Sequence, residues 1–209
     1  LVALNRGLRA YEDRLTAIIP SGTITASRLA QSILIACEQN PRLLGCSMDS
    51  LFLAAMTAAN LGLVVDGVTG QGYIIGYGRR EGLPRAQFQP GYKGLITLAA
   101  RSGWIMHATE IRAKDNYQII EGTENPRIEH FLTQMSVEKR GDIIGVYAVA
   151  RSLHYPPVWR WMELDTLLGV KARSPAIVKG APTPWNTDFP AMALKTAIVW
   201  LGKRLPLDL

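Results

Sequence analysis

The chain has 209 residues, 48% of them apolar and 19% charged, with a net charge of +6 and two cysteines. That apolar fraction supports a folded core and excludes a disordered chain, and the length suits one domain with room for two lobes. No apolar run approaches the roughly 18 residues of a membrane span, no signal peptide opens the chain, and Cys37 and Cys46 lack the spacing of a disulfide framework or a zinc site.

The chain begins at Leu1 rather than Met, so sequence is expected to be missing there, and at the Leu209 end as well. The first 25 residues carry mixed charge, with a break at Pro20-Ser21-Gly22. A helix is predicted next, capped by Ser27, with Leu29, Ile33 and Cys37 on one face and Asn40-Pro41 as its stop. A second helix starts near Ser47 or Asp49 and ends at Gly62. Its small residues, Ala54, Ala55 and Ala58, predict close packing on a neighbour. The two cysteines read as buried and reduced in a cytoplasmic protein.

Gly67 to Gly72 is rich in turn residues. Tyr73 to Tyr77 and Arg85 to Gln89 then read as a hairpin with a basic tip, Arg79 and Arg80. Tyr92 to Arg101 reads as a helix with Leu95, Ile96 and Ala99 inward, closed by Gly103. Strand signals return at Trp104 to Ile111, Arg127 to Phe131, Ile143 to Arg151 and Val158 to Met162. The stretch from Ile143 reads as a central buried strand. A short helix covers Leu164 to Val170, and Lys171 to Pro184 reads as a loop. The last helix opens with Asp188 as cap and Pro190 in its first turn, and runs to Arg204. This order predicts an α+β fold with a mainly antiparallel β-sheet, packed helices and flanking helices.

Several chemistries lack their residues. There is no Walker-type phosphate loop, and Gly67, Gly70 and Gly72 lead into a strand rather than lying between strand and helix. His107, His130 and His154 lack metal-ligand spacing. The nearest thing to a nuclease signature is Asp66 with Glu110, Arg112 and Lys114. A metal nuclease needs an acidic pair and a lysine beside one strand to hold a divalent ion, and here the acid–lysine spacing is off.

The most informative stretch is Gln87-Phe88-Gln89-Pro90-Gly91-Tyr92-Lys93-Gly94-Leu95. Two glycines bracket an aromatic ring and a cation at a strand-to-helix junction. Glycines let backbone approach a ligand, and a helix N-terminus attracts phosphate. Lys93 supplies a cation, Tyr92 a ring for a base to stack on, and Gln89 an amide for a phosphate or base edge. The same residues equally fit a tight turn with Tyr92 in the core. A second cluster holds Lys171, Arg173, Lys179, Lys195, Lys203 and Arg204, with Trp185 among them. Lys195 and Lys203 share a broad helix face, and Arg204 points elsewhere. Cations interleaved with an aromatic suit a single-strand groove, although basic helix ends also answer the helix dipole. The isoelectric point of about 9.5 fits a protein that meets nucleic acid, or one with a solvated basic surface.

Ordered motifs add to this. They are Asn40-Pro41-Arg42-Leu43-Leu44, Ala58-Ala59-Asn60-Leu61-Gly62-Leu63, Gln71-Gly72-Tyr73-Ile74, Gln89 to Leu95 and Ala99-Ala100-Arg101-Ser102-Gly103. Pro184-Trp185, Asp188-Phe189, Met192-Ala193, Lys195-Thr196 and Leu205-Pro206 follow in order. From about Ile33 to Pro206 the set resembles the RecT family of phage single-strand annealing proteins. The chain departs from the family pattern at Val64-Val65-Asp66 and in the sparsely basic Ala197-Ile198-Val199-Trp200.

The resemblance implies a single annealing domain over 1–209, with a helical lobe at 1–65 and an α+β core with the C-terminal helix at 66–209. That core would be of the β-β-β-α type. The implied activity is ATP-independent binding of single-stranded DNA and annealing to a complementary strand, by a homo-oligomeric ring or helical filament. No covalent chemistry and no cofactor are implied, with magnesium serving only as a phosphate counterion. A partner exonuclease would supply the single strand, the annealed duplex would be the product, and no membrane is involved. The setting would be the cytoplasm of a bacterial host, with the gene carried by a phage or prophage. The DNA-binding residues expected, from the basic and aromatic clusters or from the resemblance, are Arg79, Arg80, Gln89, Tyr92, Lys93, Arg101, Lys171, Arg173, Trp185, Lys195 and Lys203. The competing readings are a metal-dependent nuclease using Asp66 and Glu110, and a plain single-strand-binding protein.

Overall fold

The computed structural model describes residues 1–78, 82–122, 125–131 and 135–207. By internal contacts the chain divides into two units, one built on Leu1–Leu98 and the other on Ala99–Pro206. The division falls after residue 98 rather than after residue 65, because the first hairpin packs on the N-terminal helices.

The first unit opens with two helices hidden by their mixed charge, α1 (Val2–Ala10) and α2 (Glu12–Ile18). Each keeps an apolar stripe, and Leu4, Leu8 and Leu15 are each only 1% exposed. A leucine buried this fully contributes roughly 1.5–3 kcal/mol. Helix α3 (Ala26–Gln39) buries Leu29, Ile33 and Cys37, as their spacing predicts. Its cap is Thr25 rather than Ser27. The Thr25 hydroxyl accepts a hydrogen bond from the Arg28 amide, three residues on, while Ser27 already lies in the first turn. Asn40 ends the helix and Pro41 opens a 3-10 turn. Helix α4 (Met48–Leu61) stops at Gly62, whose φ of +57° favours glycine. Its Ala54, Ala55, Ala58 and Ala59 are all buried, which lets neighbouring elements approach closely.

Strands β1 (Gly72–Tyr77) and β2 (Arg85–Pro90) pair antiparallel, with Tyr73 opposite Gln89 and Tyr77 opposite Arg85. The inner face places Ile74, Ala86 and Phe88 against the helical core. Two helix serines tie in the later segments: Ser50 Oγ accepts from the Ala86 amide at 2.9 Å, and Ser32 Oγ from the Val65 amide at 3.4 Å. Helix α5 (Tyr92–Arg101) follows and runs across the unit boundary. Gly94, Leu98 and Ala99 are its buried residues, while Leu95 and Ile96 are only half-buried. Gly103, at φ +76°, closes it.

The second unit carries β3 (Ile105–Arg112), β4 (Asn116–Ile120), β5 (Arg127–Phe131), β6 (Ile143–Arg151) and β7 (Val158–Glu163). Strands β3, β6 and β7 form one antiparallel sheet with β6 in the centre, as its apolar run predicts. Strand β4, absent from the sequence reading, pairs with β5 as a separate hairpin. Helices α6 (Leu164–Ala172), α7 (Pro175–Val178), α8 (Pro184–Thr187) and α9 (Phe189–Gly202) complete the unit. The expected 171–184 loop therefore holds a helical turn at α7, with Lys171 in the last turn of α6. Asp188 caps α9, its Oδ1 accepting from the Ala191 amide. Helix α9 lies against all three strands of the sheet. Alternation puts Met106, Ala148, Ala150, Arg160 and Met162 on the α9 side, and Arg160 stacks over the ring of Trp200 there. The other face receives the β4–β5 hairpin, through Tyr117 on Trp161 and His130 edge-on to Tyr147. The whole is an α+β fold with antiparallel pairing throughout the described strands, and three strands of one sheet followed by a helix.

One polar network holds that hairpin in place. The Asp115 carboxylate, fully buried, accepts from Arg140 Nε at 2.7 Å and from the Arg112 amide at 2.8 Å. Its Oδ2 also receives the second arm of Arg140 and lies 3.2 Å from His130 Nε2. Cys37 and Cys46 are both buried free thiols, and burial raises both above the ordinary thiol range. Among the described residues no helix is long and apolar enough to cross a membrane.

Candidate nucleic-acid interface

The β1–β2 hairpin turns one face to its core and the other to solvent, because side chains alternate along a strand. On the outer face Tyr73, Ile75 and Tyr77 are 41%, 37% and 42% exposed. Opposite them stand Gln89, Gln87 and Arg85, all exposed. Neither strand carries an acidic residue. Gln89 Nε2 donates to the Tyr77 hydroxyl, so that ring lies back along the face. Arg79 and Arg80, expected at the hairpin tip, lie outside the described residues.

Lys93 is exposed in the first turn of α5. Its aliphatic chain and the Tyr73 hydroxyl both come within 3.4 Å of where a Cβ on Gly70 would stand. Tyr73, Gln89 and Lys93 are thereby gathered at one end of the outer face. Tyr92 is half-buried, between its two expected roles.

Gly91 and Gly94 serve the protein rather than a ligand. A Cβ on Gly91 would collide with the Gly70 carbonyl, and one on Gly94 with the Gln71 carbonyl. The Gly91 amide donates to that Gln71 oxygen at 2.8 Å. These glycines let the start of α5 close onto the 70–71 turn, which holds Lys93 beside Tyr73.

In the second unit the expected residues divide between a packed cluster and exposed cations. Trp185 is only 4% exposed and lies 5.8 Å from the Phe189 ring. It has no free face for a base, which corrects the expectation that it lies open in a groove. Lys171 Nζ sits 6.0 Å from the centroid of that same Phe189 ring, so Lys171 and Trp185 meet through it. Arg173, Lys179, Lys195 and Lys203 are exposed, and Arg101 is exposed at the end of α5. Lys195 lies in the second turn of α9 and is exposed, although Ile198, one turn on, is buried.

The two acids of the nuclease reading are occupied elsewhere. Asp66 Oδ1 accepts from the Val68 and Thr69 amides and the Thr69 hydroxyl, closing its own turn. Burial pushes its carboxyl up, but these hydrogen bonds outweigh it and hold the group below its ordinary value. Glu110 pairs with Arg112 at 2.6 Å. Among the described residues no three acids, histidines or cysteines gather as a metal site.

Sequence reasoning did not single out Tyr73, Tyr77, Arg85 and Gln87 as site residues, although period-two alternation in each strand of the hairpin puts them on one face. Chemically, the face offers rings for base stacking, cations for phosphate and amides for either. Stacking of a base on an aromatic ring is worth about 1–3 kcal/mol. Lys93→Ala is expected to flatten the log–log salt dependence of single-strand binding by about 0.7, one phosphate contact. Thermal unfolding should be unchanged, because the residue is exposed. An unaltered slope in a titration across salt concentrations would remove Lys93 from the interface.

A family model described as the RecT family matches residues 27–209. Protein RecT of Escherichia coli (strain K12) is 29% identical over 205 residues, covering 96% of this chain and 73% of that protein. The uncharacterized protein YqaK of Bacillus subtilis (strain 168) is 28% identical over 177 residues, covering 83% of this chain and 57% of its own length.

Proposed function

The chain belongs to the RecT family, and from that premise we propose that it binds single-stranded DNA and anneals complementary strands without ATP, as a ring or filament of like subunits. The observation that carries this reading is the outer face of the β1–β2 strands, which carry no acid, with Tyr73 and Gln89 beside Lys93 at one end and Tyr77 with Arg85 at the other.

Annealing needs no fuel, because stacking yields on average about 1.4 kcal/mol per base-pair step. The barrier is kinetic. Two polyanions repel, and bases must be presented while backbones are held. Cations on the protein neutralise phosphates and release counterions. Tyrosine rings hold bases without choosing among sequences, since every base has a π-face. Copies side by side would keep a long strand extended. A phage or prophage setting, with an exonuclease that exposes the strand, fits this role.

The test mixes two complementary oligonucleotides with the protein in EDTA, without nucleotide. Pairing faster than in buffer alone is the expected result. If chelation or removal of nucleotide stopped pairing of bare oligonucleotides, the reading would fail. Protection of the strands with no acceleration would point to plain single-strand binding. Cleavage on adding magnesium would point to a nuclease.

A further inference from the structure

At the free edge of β7 lies a cavity of about 340 Å³ lined by Trp159, Arg160, Trp161 and Arg204. Its size is at the low end for small-ligand pockets, which run from about 300 Å³. Arg160 and Arg204 are 44 residues apart in sequence, and the sheet and the end of α9 bring them to one cavity. Neither forms an ion pair among the described residues. The Arg160 guanidinium is held over the Trp200 ring, 5.4 Å from its centroid. Among the described residues its Nε is buried with no acceptor. A buried donor left unpaired costs about 1–3 kcal/mol, so such a group calls for a reason. Trp159 is fixed by its own hydrogen bond, Nε1 donating to the Pro126 carbonyl at 3.2 Å. Among the described residues that line the cavity Glu121 is the one acid, beside the two arginines.

We propose that this cavity binds a phosphate group of a nucleic-acid strand, with Arg160 and Arg204 as its two cations and Trp159 as a wall for the adjoining nucleotide. A guanidinium presents a planar fork of donors that matches phosphate oxygens, and it tolerates stacking on an aromatic ring. Arg160 on Trp200 is such a preorganised fork. The site belongs to the second unit and uses none of the β1–β2 hairpin residues. It rests on the single-strand reading above, and it gives Arg204, which lies just past the end of α9, a separate role.

The phosphate could be internal to a strand or terminal. The test measures binding of the full chain to a short oligonucleotide bearing either a 5′-phosphate or a 5′-hydroxyl, across salt concentrations. The variants are Arg204→Gln, Arg204→Lys and, as a measure of general charge loss, Lys139→Gln at an exposed site. Arg204→Gln is expected to weaken binding about tenfold, or 1.4 kcal/mol. It should also flatten the salt slope by about 0.7. Arg204→Lys should restore the slope. Equal loss on both oligonucleotides assigns an internal phosphate, and loss confined to the phosphorylated one assigns a strand end. If Arg204→Gln behaves like Lys139→Gln while the parent binds normally, the cavity is not a phosphate site and the annealing reading stands. If the parent itself does not bind single strands, both fall together.

Discussion

Replacing Asp115 by alanine is expected to destabilise the second unit by about 3–5 kcal/mol, because it strands a buried guanidinium without its anion. The Asp115 side chain is 0% exposed and that of Arg140 is 9% exposed. The carboxylate is also the acceptor for the Arg112 amide and sits against His130, whose other ring nitrogen is 3.3 Å from the Tyr147 hydroxyl. One anion therefore joins the β3–β4 turn, the 3-10 turn at Val137–Arg140, strand β5 and the central strand β6. Urea unfolding at neutral pH measures the loss, and a change below about 1 kcal/mol would show that the network is not a stabilising tie.

The same carboxylate sets a pH dependence with a definite sign. Hydrogen bonds from Arg140 hold Asp115 far below the ordinary carboxylate range, against the opposing effect of burial, with help from Arg112 and His130. A group whose folded value is depressed stabilises fully above its unfolded value, about 3.9 for aspartate. That contribution is lost as pH falls from there toward the folded value. The stability gap between the parent and Asp115→Ala should thus be constant from neutrality to about pH 5 and shrink below about pH 4. A gap that grew on acidification would contradict the assignment.

Trp185→Ala is the second large effect, about 3–5 kcal/mol of stability with DNA affinity unchanged well below the melting temperature. The ring is buried and tilted at 50° to Phe189, and the short turn before it is held by Thr183, whose hydroxyl accepts from the Trp185 amide. Removing it leaves a cavity under the start of α9. Thermal melting and strand binding on the same preparation separate the alternatives. An unchanged melt with weakened binding would put the ring on DNA instead of in the core.

Local chemistry made much of the fold legible in advance. Strand signals at Tyr73 to Tyr77 and Arg85 to Gln89 announced the hairpin, Gly62 announced the end of α4, and Asp188 with Pro190 announced the start of α9. These signals lie within a few residues of the feature they specify, because turns, caps and periodicity are short-range effects. The ordered motifs likewise pointed to the family that the match over residues 27–209 bears out.

What stayed hidden depended on partners distant in the chain. Helices α1 and α2 look merely charged until a core stands opposite Leu4, Leu8 and Leu15. Asn116–Ile120 becomes a strand through its pairing with Arg127–Phe131. Asp115 meets Arg140 across 25 positions, and nothing near either residue signals the pair. Gly91 and Gly94 read as room for a ligand, yet the room is filled by the chain's own backbone at Gly70 and Gln71. Trp185 sits among cations in sequence but against Phe189 in space. The sequence by itself determined the elements with strong local signals, the charge and the family, since these rest on residue identity and local spacing. Which aromatic is buried, which glycine is crowded and which arginine lacks an anion were decided only by tertiary structure, because burial and pairing are properties of what surrounds a side chain.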